Sequence, residues 1–250
     1  RIRQENLDKY IKLITEAKSK VSIPVIGSIN CTTSHEWSYF AKSLQKAGAD
    51  ALELNVFILP SKLELTSDYI EKTYFDIIQK VKKEVSIPIA IKMSFFFSNL
   101  AHVIEKLSKS GVAGIVLFNR FYSPDIDINK LEVLAANVLS TPSELSTSLR
   151  WIGIMANRIG CDLAASTGVH DGAGVIKQIL AGADAVQVVS TLYNNGPEYL
   201  ETMLNDIRSW MQDKKYDKIN AFKGILSQEK YLDPALFERV QFMKYFSDRK

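Results

Sequence analysis

The chain has 250 residues, 46% hydrophobic and 24% charged, a composition that suits one large globular domain or two small ones. Its 31 basic and 28 acidic side chains leave a net charge of +3, which does not indicate affinity for nucleic acid or for a membrane surface. The same composition excludes a disordered chain and a collagen-like repeat.

Targeting and redox signals are sparse. The two cysteines, Cys31 and Cys161, lie outside any CxxC pair, and no Cys/His group has zinc-site spacing, so we expect a reducing compartment, the cytoplasm, and no metal. No apolar run reaches the roughly 18 residues of a membrane span. The N-terminal segment is polar and amphipathic, unlike a signal peptide.

Six short apolar runs alternate with helical patterns along the chain. The runs start near residues 23, 50, 87, 113, 162 and 184, are rich in β-branched side chains and are bounded by glycine or proline, which predicts buried strands. Helical patterns occupy residues 34–47, 66–84, 99–110, 143–159 and 171–181. Because apolarity is continuous rather than alternating within each run, we predict a parallel sheet covered on both faces.

This alternation fits either a doubly wound sheet or a (β/α)8 barrel. A doubly wound sheet would be expected to carry a glycine-rich fingerprint, and neither GxGxxG nor GxxxxGK[ST] occurs. We therefore predict a single α/β domain over residues 1–250, a (β/α)8 TIM barrel. The chain shows six strands and starts in a helix at Arg1 rather than at Met, so we expect two N-terminal βα units to be missing.

Two stretches lie outside the regular pattern. The connection after Asn119 is long, and its interior LEVLAANVL could hold a short extra strand pair. Residues 213–250 are polar and aromatic, and we expect two short helices there that close the barrel.

Polar side chains end four of the predicted strands: Ser28, Asn55, Lys92 and Asn119. Barrel enzymes place their sites at the carboxyl ends of strands. Two amides and a lysine there could hold a planar heterocycle and stabilise negative charge on it. Any one of these side chains could simply meet solvent, but the set together favours a functional site.

Small polar residues follow the last two predicted strands: Ser166, Thr167, Gly168 and Val169 after one, Ser190 and Thr191 after the other. Backbone N–H groups of such loops bind phosphate in many barrels. An ordinary turn with small polar caps is the alternative, and the position after the last two strands favours phosphate.

The histidines and a run of three phenylalanines are weaker candidates for functional residues. None of the three histidines, His35, His102 and His170, has a visible nucleophile partner in the sequence, which gives a Ser/His/Asp triad little support. The run Phe95-Phe96-Phe97 could wall a ring-binding pocket or could pack structurally.

The order of these motifs resembles the dihydroorotate dehydrogenase family of FMN-containing barrels, over roughly residues 21–210. The matching motifs are ELN ending at Asn55, IKM around Lys92, Asn119, STGV at 166–169 and GADAVQVVSTLYNNGPE at 182–198. The chain is most similar to the branch labelled dihydroorotate dehydrogenase-like. The resemblance implies hydride transfer between flavin N5 and a small-molecule substrate such as dihydroorotate, in pyrimidine biosynthesis. We also expect a homodimer.

The resemblance implies roles for single residues. Lys92 would contact the flavin near its N1/O2 edge and stabilise negative charge there. Asn55 and Asn119 would bind the substrate or the flavin, and Ser28 would lie near the flavin ring. The residues that would hold the FMN phosphate are Thr167, Gly168, Val169, Ser190 and Thr191.

One departure from the family pattern concerns the catalytic base. The family follows its strand-end asparagine with a Cys or Ser base and then Pro-Asn, whereas here Ile58 and Pro60 stand in that stretch. Isoleucine cannot accept a proton, although Ser61 or Lys62 could substitute. Two alternatives therefore stay open: a phosphate-binding barrel lyase or isomerase without flavin, and a non-catalytic FMN-binding descendant.

Overall fold

The computed structural model describes residues 2–31, 34–136 and 138–238, which form two compact units. The first unit runs to Phe121 and includes Gly160–Asp162, and the second contains Tyr122–Ile159 and the chain from Leu163 onward. The single domain over residues 1–250 stays a prediction.

Helices and strands alternate through the first unit: α1 (Ile2–Lys20), β1 (Ile26–Ile29), α2 (Ser34–Lys46), β2 (Ala51–Asn55), α3 (Ser67–Lys82), β3 (Ile89–Met93), α4 (Leu100–Ser108) and β4 (Gly114–Leu117). The strands pair in parallel in the order β1-β2-β3-β4. Each begins within three residues of its predicted start, so the predicted parallel strands are confirmed here.

Side-chain caps fix where two of these helices begin. Thr66 accepts a hydrogen bond from the N–H of Tyr69 at the start of α3, and Asn99 accepts one from His102 at the start of α4. Such caps satisfy backbone donors that have no partner inside the helix. The predicted starts at residues 66 and 99 are these two cap residues.

The strand register decides which side chains share a face. Ser28 is paired with Glu53 and Asn55 with Lys92, so these four side chains project from one face of β1–β3. Lys92 is also paired with Val116 of β4. The opposite face is apolar and fully buried at Leu52, Leu54, Ile91, Met93, Ile115 and Leu117. The sequence shows continuous apolar runs because only a few positions on the first face are polar.

The second unit contains β5 (Ser123–Asp127), β6 (Glu132–Ala136), a 3-10 turn (Pro142–Glu144), α5 (Leu145–Met155), β7 (Asp162–Ala165, whose first residue belongs to the first unit), α6 (Gly172–Ala181), β8 (Ala185–Val186), α7 (Ser190–Asn195), α8 (Tyr199–Asp213), a second 3-10 turn (Ile219–Ala221) and α9 (Ala235–Glu238). β7 and β8 pair in parallel, and β5 and β6 form an antiparallel hairpin. An extra strand pair therefore exists, but only β6 lies within the predicted stretch LEVLAANVL, and β5 precedes that stretch.

The β5–β6 hairpin and the chain after Asp213 depart from the regular alternation of helices and strands. The hairpin exposes apolar side chains on both strands, with Ile126 64% and Val133 72% exposed. After Asp213 the described chain has two short helical segments, the 3-10 turn and the four-residue α9. That they close a barrel stays a prediction. Within the described ranges, no helix combines the length and the apolarity needed to cross a bilayer.

Candidate active site

The carboxyl ends of β1–β4 gather Ser28, Glu53, Asn55, Lys92 and Asn119, which we call the Lys92 cluster. The Ser28 hydroxyl donates to Glu53 Oε1 at 2.7 Å, and the Glu53 side chain is almost fully buried. Burial lowers the pKa of the Lys92 ammonium, and the negative charge of Glu53 acts in the opposite direction and raises it. The cluster therefore contains a desolvated cation beside a buried carboxylate.

Tyr10 of α1 holds the edge of this cluster. Its hydroxyl donates to the Ser28 carbonyl at 3.0 Å and accepts from the Ser28 N–H at 2.8 Å. Burial raises the pKa of Tyr10, the hydrogen bond to Ser28 lowers it, and the charge of Glu53 raises it further. The phenol therefore stays protonated at neutral pH and fixes the backbone of β1.

The two predicted asparagines meet. Asn119 Nδ2 donates to Asn55 Oδ1, and Asn30 Nδ2 donates to the Asn55 carbonyl at 2.7 Å. Asn119 is 3% exposed, and its Oδ1 is buried without a hydrogen-bond partner in the described part of the chain. A buried acceptor without a donor costs about 1–3 kcal/mol, so this atom suits a ligand that brings an N–H group.

A cavity of about 330 Å³ opens beside Tyr10 and Ser28 in the same unit. Cys31 and Glu36 also line it. Burial raises the pKa of the Cys31 thiol to about 12, and the charge of Glu36 adds to the shift. The thiol is therefore protonated at neutral pH and is not an activated nucleophile.

Aromatic rings surround the ends of β2, β3 and β4. The Phe57 and Phe121 rings lie 4.1 Å apart, and Phe96 contacts Phe121 edge-on at 5.1 Å. Phe95 and Phe96 are about two-fifths exposed, whereas Phe97 packs against the buried Tyr74 ring. Of the Phe95–Phe97 run, two rings are therefore free to wall a pocket and the third is structural.

The structure places Ile58 in the loop after β2, partly buried beside the half-exposed Phe57. Ser61 and Lys62, the substitutes that the sequence offered for a base, are both exposed in that loop.

In the second unit the loop from Ser166 to His170, which we call the Gly168 loop, follows β7. Thr167 and Gly168 both have φ of +78°, and a Cβ on Gly168 would lie 2.1 Å from the Leu145 backbone nitrogen. Only glycine fits that close approach. The N–H groups of Gly168 and Val169 donate to no atom within the described ranges, an arrangement that suits an anion.

The two hydroxyls at the start of α7, those of Ser190 and Thr191, have different hydrogen-bonding roles. Ser190 Oγ accepts from the Ser140 N–H at 2.9 Å, which leaves its own proton available to a ligand. The fully buried Thr191 hydroxyl donates to the His170 carbonyl at 2.8 Å. The only proton of Thr191 is thus directed at the Gly168 loop, and this geometry gives Thr191 a supporting position.

No local pattern in the sequence predicts the contact between Ser140 and His170. Ser140 Oγ lies 3.0 Å from His170 Nε2, a hydroxyl partner for this histidine that was not visible in the sequence. The two residues are 30 positions apart, and only tertiary structure joins them. Glu53 was missed too, although a charged residue inside the apolar run ALELN is a visible signal.

A flavin nucleotide fits both sets of residues, each taken by itself. The Lys92 cluster offers a positive charge and the unsatisfied Asn119 Oδ1, which match the anionic edge and the ring N–H of a flavin. The Gly168 loop offers backbone N–H groups and the Ser190 hydroxyl, which match a phosphate.

Comparisons with known proteins agree with this chemistry. The sequence profile of the dihydroorotate dehydrogenase family matches residues 3–211. A similar protein is the dihydroorotate dehydrogenase B (NAD(+)) catalytic subunit of Thermoplasma volcanium, 27% identical over 88% of this chain and 73% of that protein. The protein of the same description from Methanocaldococcus jannaschii is 24% identical over 83% of this chain and 70% of its own length.

Among solved structures, the chain resembles dihydroorotate dehydrogenase from Eimeria tenella, crystallised in complex with ferulenol. The TM-score is 0.65 at 16% identity, over 87% of this chain and 67% of that one. This match confirms the predicted α/β fold of the TIM-barrel type. The profile match covers most of the chain, and the chain therefore belongs to the dihydroorotate dehydrogenase family, whose enzymes are flavoprotein oxidoreductases acting on CH–CH bonds.

Proposed function

We propose that this protein is an FMN-dependent dehydrogenase that transfers hydride between flavin N5 and a small substrate, with dihydroorotate as the first candidate. FMN, when bound, would supply the hydride-accepting centre. The observation that carries the proposal is the desolvated Lys92 beside the Asn55–Asn119 amide pair in a chain of this family.

Lys92 would stabilise negative charge at the N1/O2 edge of the flavin. Its partly buried position makes its charge act more strongly than it would in water. Asn119 would accept a hydrogen bond through its unsatisfied Oδ1, and its bond to Asn55 orients both amides. Ser28 donates to Glu53, so its part would be to hold the cluster together beside the flavin ring.

The residues of the second unit would bind the FMN phosphate. Gly168 and Val169 would donate their backbone N–H groups, and Ser190 would donate its hydroxyl. Thr167 would contact the phosphate beside Gly168, and Thr191 would keep the loop in shape, since its hydroxyl donates to the His170 carbonyl.

Ile58 raises the question of the proton that leaves the substrate together with the hydride. If only the base has been lost, Ile58→Ser or Ile58→Cys should raise dihydroorotate turnover, because a hydroxyl or thiol can accept the proton. Ile58→Val is the matched control and should change nothing. No gain from either polar variant would mean that the substrate pocket differs from that of the relatives as well.

The decisive experiment is the visible absorption spectrum of the purified protein with FMN, followed by dihydroorotate in the absence of oxygen. A flavin spectrum that bleaches would support the proposal in full. A flavin spectrum that persists would mean an FMN protein with another substrate or with none. A protein that binds no FMN would contradict the proposal and favour a phosphate-binding barrel without flavin, against the family assignment.

We further propose a homodimer, which sedimentation at several protein concentrations would test. A mass equal to one chain at all concentrations would contradict it.

A further inference from the structure

Glu53 is a buried acid to which the proposed function gives no part. It sits in the middle of β2, is 5% exposed, and accepts the Ser28 hydroxyl proton at 2.7 Å. A carboxylate in such surroundings is costly unless it is hydrogen-bonded and paired with a positive charge. The position therefore requires a partner.

The register places that partner on the next strand. Glu53 is paired with Ala90 and Asn55 with Lys92, so Glu53 and Lys92 are diagonal neighbours on one face of β2 and β3. From β4 the register neighbour of Lys92 is the apolar Val116. From α1, Tyr10 reaches the cluster as a neutral phenol bound to Ser28.

We propose that Glu53 is a positioning residue that keeps the Lys92 ammonium charged inside the cluster, and that Ser28 and Tyr10 hold Glu53 and its strand in place. The proposal depends on the proposed function only for what Lys92 does to a flavin. The protonation of Lys92 itself can be measured without any flavin.

The sign of the effect follows from the two opposing influences on Lys92. Burial lowers the pKa of Lys92 and Glu53 raises it. Removing the charge of Glu53 leaves burial unopposed, so Lys92 should lose its proton at a lower pH. An amine reacts with acylating reagents only when it is deprotonated, so labelling reports this proton directly.

The test is acetylation of Lys92 in the full chain without flavin, read by mass spectrometry as a function of pH. In Glu53→Gln the pH midpoint of Lys92 labelling should fall by about one unit or more. Glu53→Asp keeps the negative charge, so its pH midpoint of Lys92 labelling should lie close to that of the unmodified protein. The matched control is Glu71→Gln, which removes a carboxylate from a surface pair with Lys106 and should leave the Lys92 midpoint unchanged.

An unchanged Lys92 midpoint in folded Glu53→Gln would overturn the proposal. If that variant folds but is too unstable for labelling across the pH range, the double variant Glu53→Gln/Lys92→Met decides, because removing both charges should restore part of the melting temperature that removing one has lost. A double variant that melts no higher than Glu53→Gln would also overturn the pairing.

Failure of the proposed function looks different. A Lys92 midpoint that falls in a protein that binds no FMN would leave the pairing intact and contradict the flavin assignment. The converse result is reduction of bound FMN by dihydroorotate in the unmodified protein, with an unchanged Lys92 midpoint in Glu53→Gln. That result would support the proposed function and contradict the pairing of Glu53 with Lys92. With FMN bound, the rate at which dihydroorotate reduces the flavin should fall as the pH rises, and this fall should begin at a lower pH in Glu53→Gln than in the unmodified protein.

Discussion

The Lys92 cluster and the Gly168 loop offer different kinds of polar groups. The cluster consists of side chains on one face of neighbouring parallel strands, two of them ionisable. Glu53 and Asn119 are buried, whereas Asn55 and Lys92 are half-buried and Ser28 is exposed. The loop offers backbone N–H groups, and its His170 is bound by two hydroxyls from outside the loop, that of Ser140 at the ring and that of Thr191 at the carbonyl. Side-chain charges can be tuned by their neighbours, whereas backbone dipoles are fixed by the path of the chain. We infer that chemistry depends on the first region and ligand retention on the second.

Lys92→Ala is the strongest test of this difference between the two regions. It should slow flavin reduction by dihydroorotate about 100-fold or more, since removal of one preorganised electrostatic group has this order of effect. FMN retention should change far less, because the residues proposed to bind the FMN phosphate belong to the other region. Anaerobic stopped-flow absorbance and the flavin-to-protein ratio measure the two effects. Lys106→Ala serves as a surface control, and equal loss of both quantities would make Lys92 a structural residue.

Gly168→Ala should have the opposite effect to Lys92→Ala, since it should lower the stability of the protein and its affinity for FMN. Its Cβ would lie 2.1 Å from the Leu145 nitrogen at a φ of +78°, which we expect to cost about 2 kcal/mol or more of the free energy of unfolding. Gly160→Ala is the control, because nothing lies within 4 Å of its added Cβ. Urea unfolding and FMN titration would check both variants. Equal effects of the two substitutions would contradict the close-approach argument.

Thr191→Val tests the support beneath the loop. The change leaves the His170 carbonyl without its donor inside a buried site, which should lower the free energy of unfolding by about 1 kcal/mol or more. Thr73 makes the same type of bond, to the Tyr69 carbonyl, on an exposed helix surface. Thr73→Val should therefore stay within about 0.5 kcal/mol of the unmodified protein. A Thr191→Val protein as stable as this control would refute the assigned role.

Tyr74→Phe should have the smallest effect near neutral pH and a specific one in alkali. The Tyr74 hydroxyl donates to the Val56 carbonyl and accepts from the Ser94 N–H, both at the long distance of 3.4 Å, so we expect a loss of about 1 kcal/mol or less. Burial raises the pKa of Tyr74, so the stability it contributes is present below about pH 10 and is lost as the pH rises toward the folded-state pKa. Urea unfolding across this range should show a smaller alkaline loss in the variant. An identical loss would mean that other groups cause it.

The sequence predicted the strands well because each is a short apolar run with a clear boundary, such as the run that ends at Asn55. The helices that begin after Thr66 and Asn99 were predicted for a similar local reason, their cap residues. The hairpin was placed only approximately, because its exposed apolar residues follow no buried pattern. The pairing of Ser140 with His170 had no local signal at all.

The sequence by itself determined the alternation of strands and helices, the polar residues at strand ends and the resemblance that led to the family. These features depend on residue types at short spacing, where local preferences and burial act directly. Tertiary structure alone decided that Tyr10 holds Ser28, that Ser28 binds Glu53, and that Glu53 faces Lys92. Those contacts join residues from different elements through strand register and helix packing, so their effect on the charge of Lys92 follows from the fold.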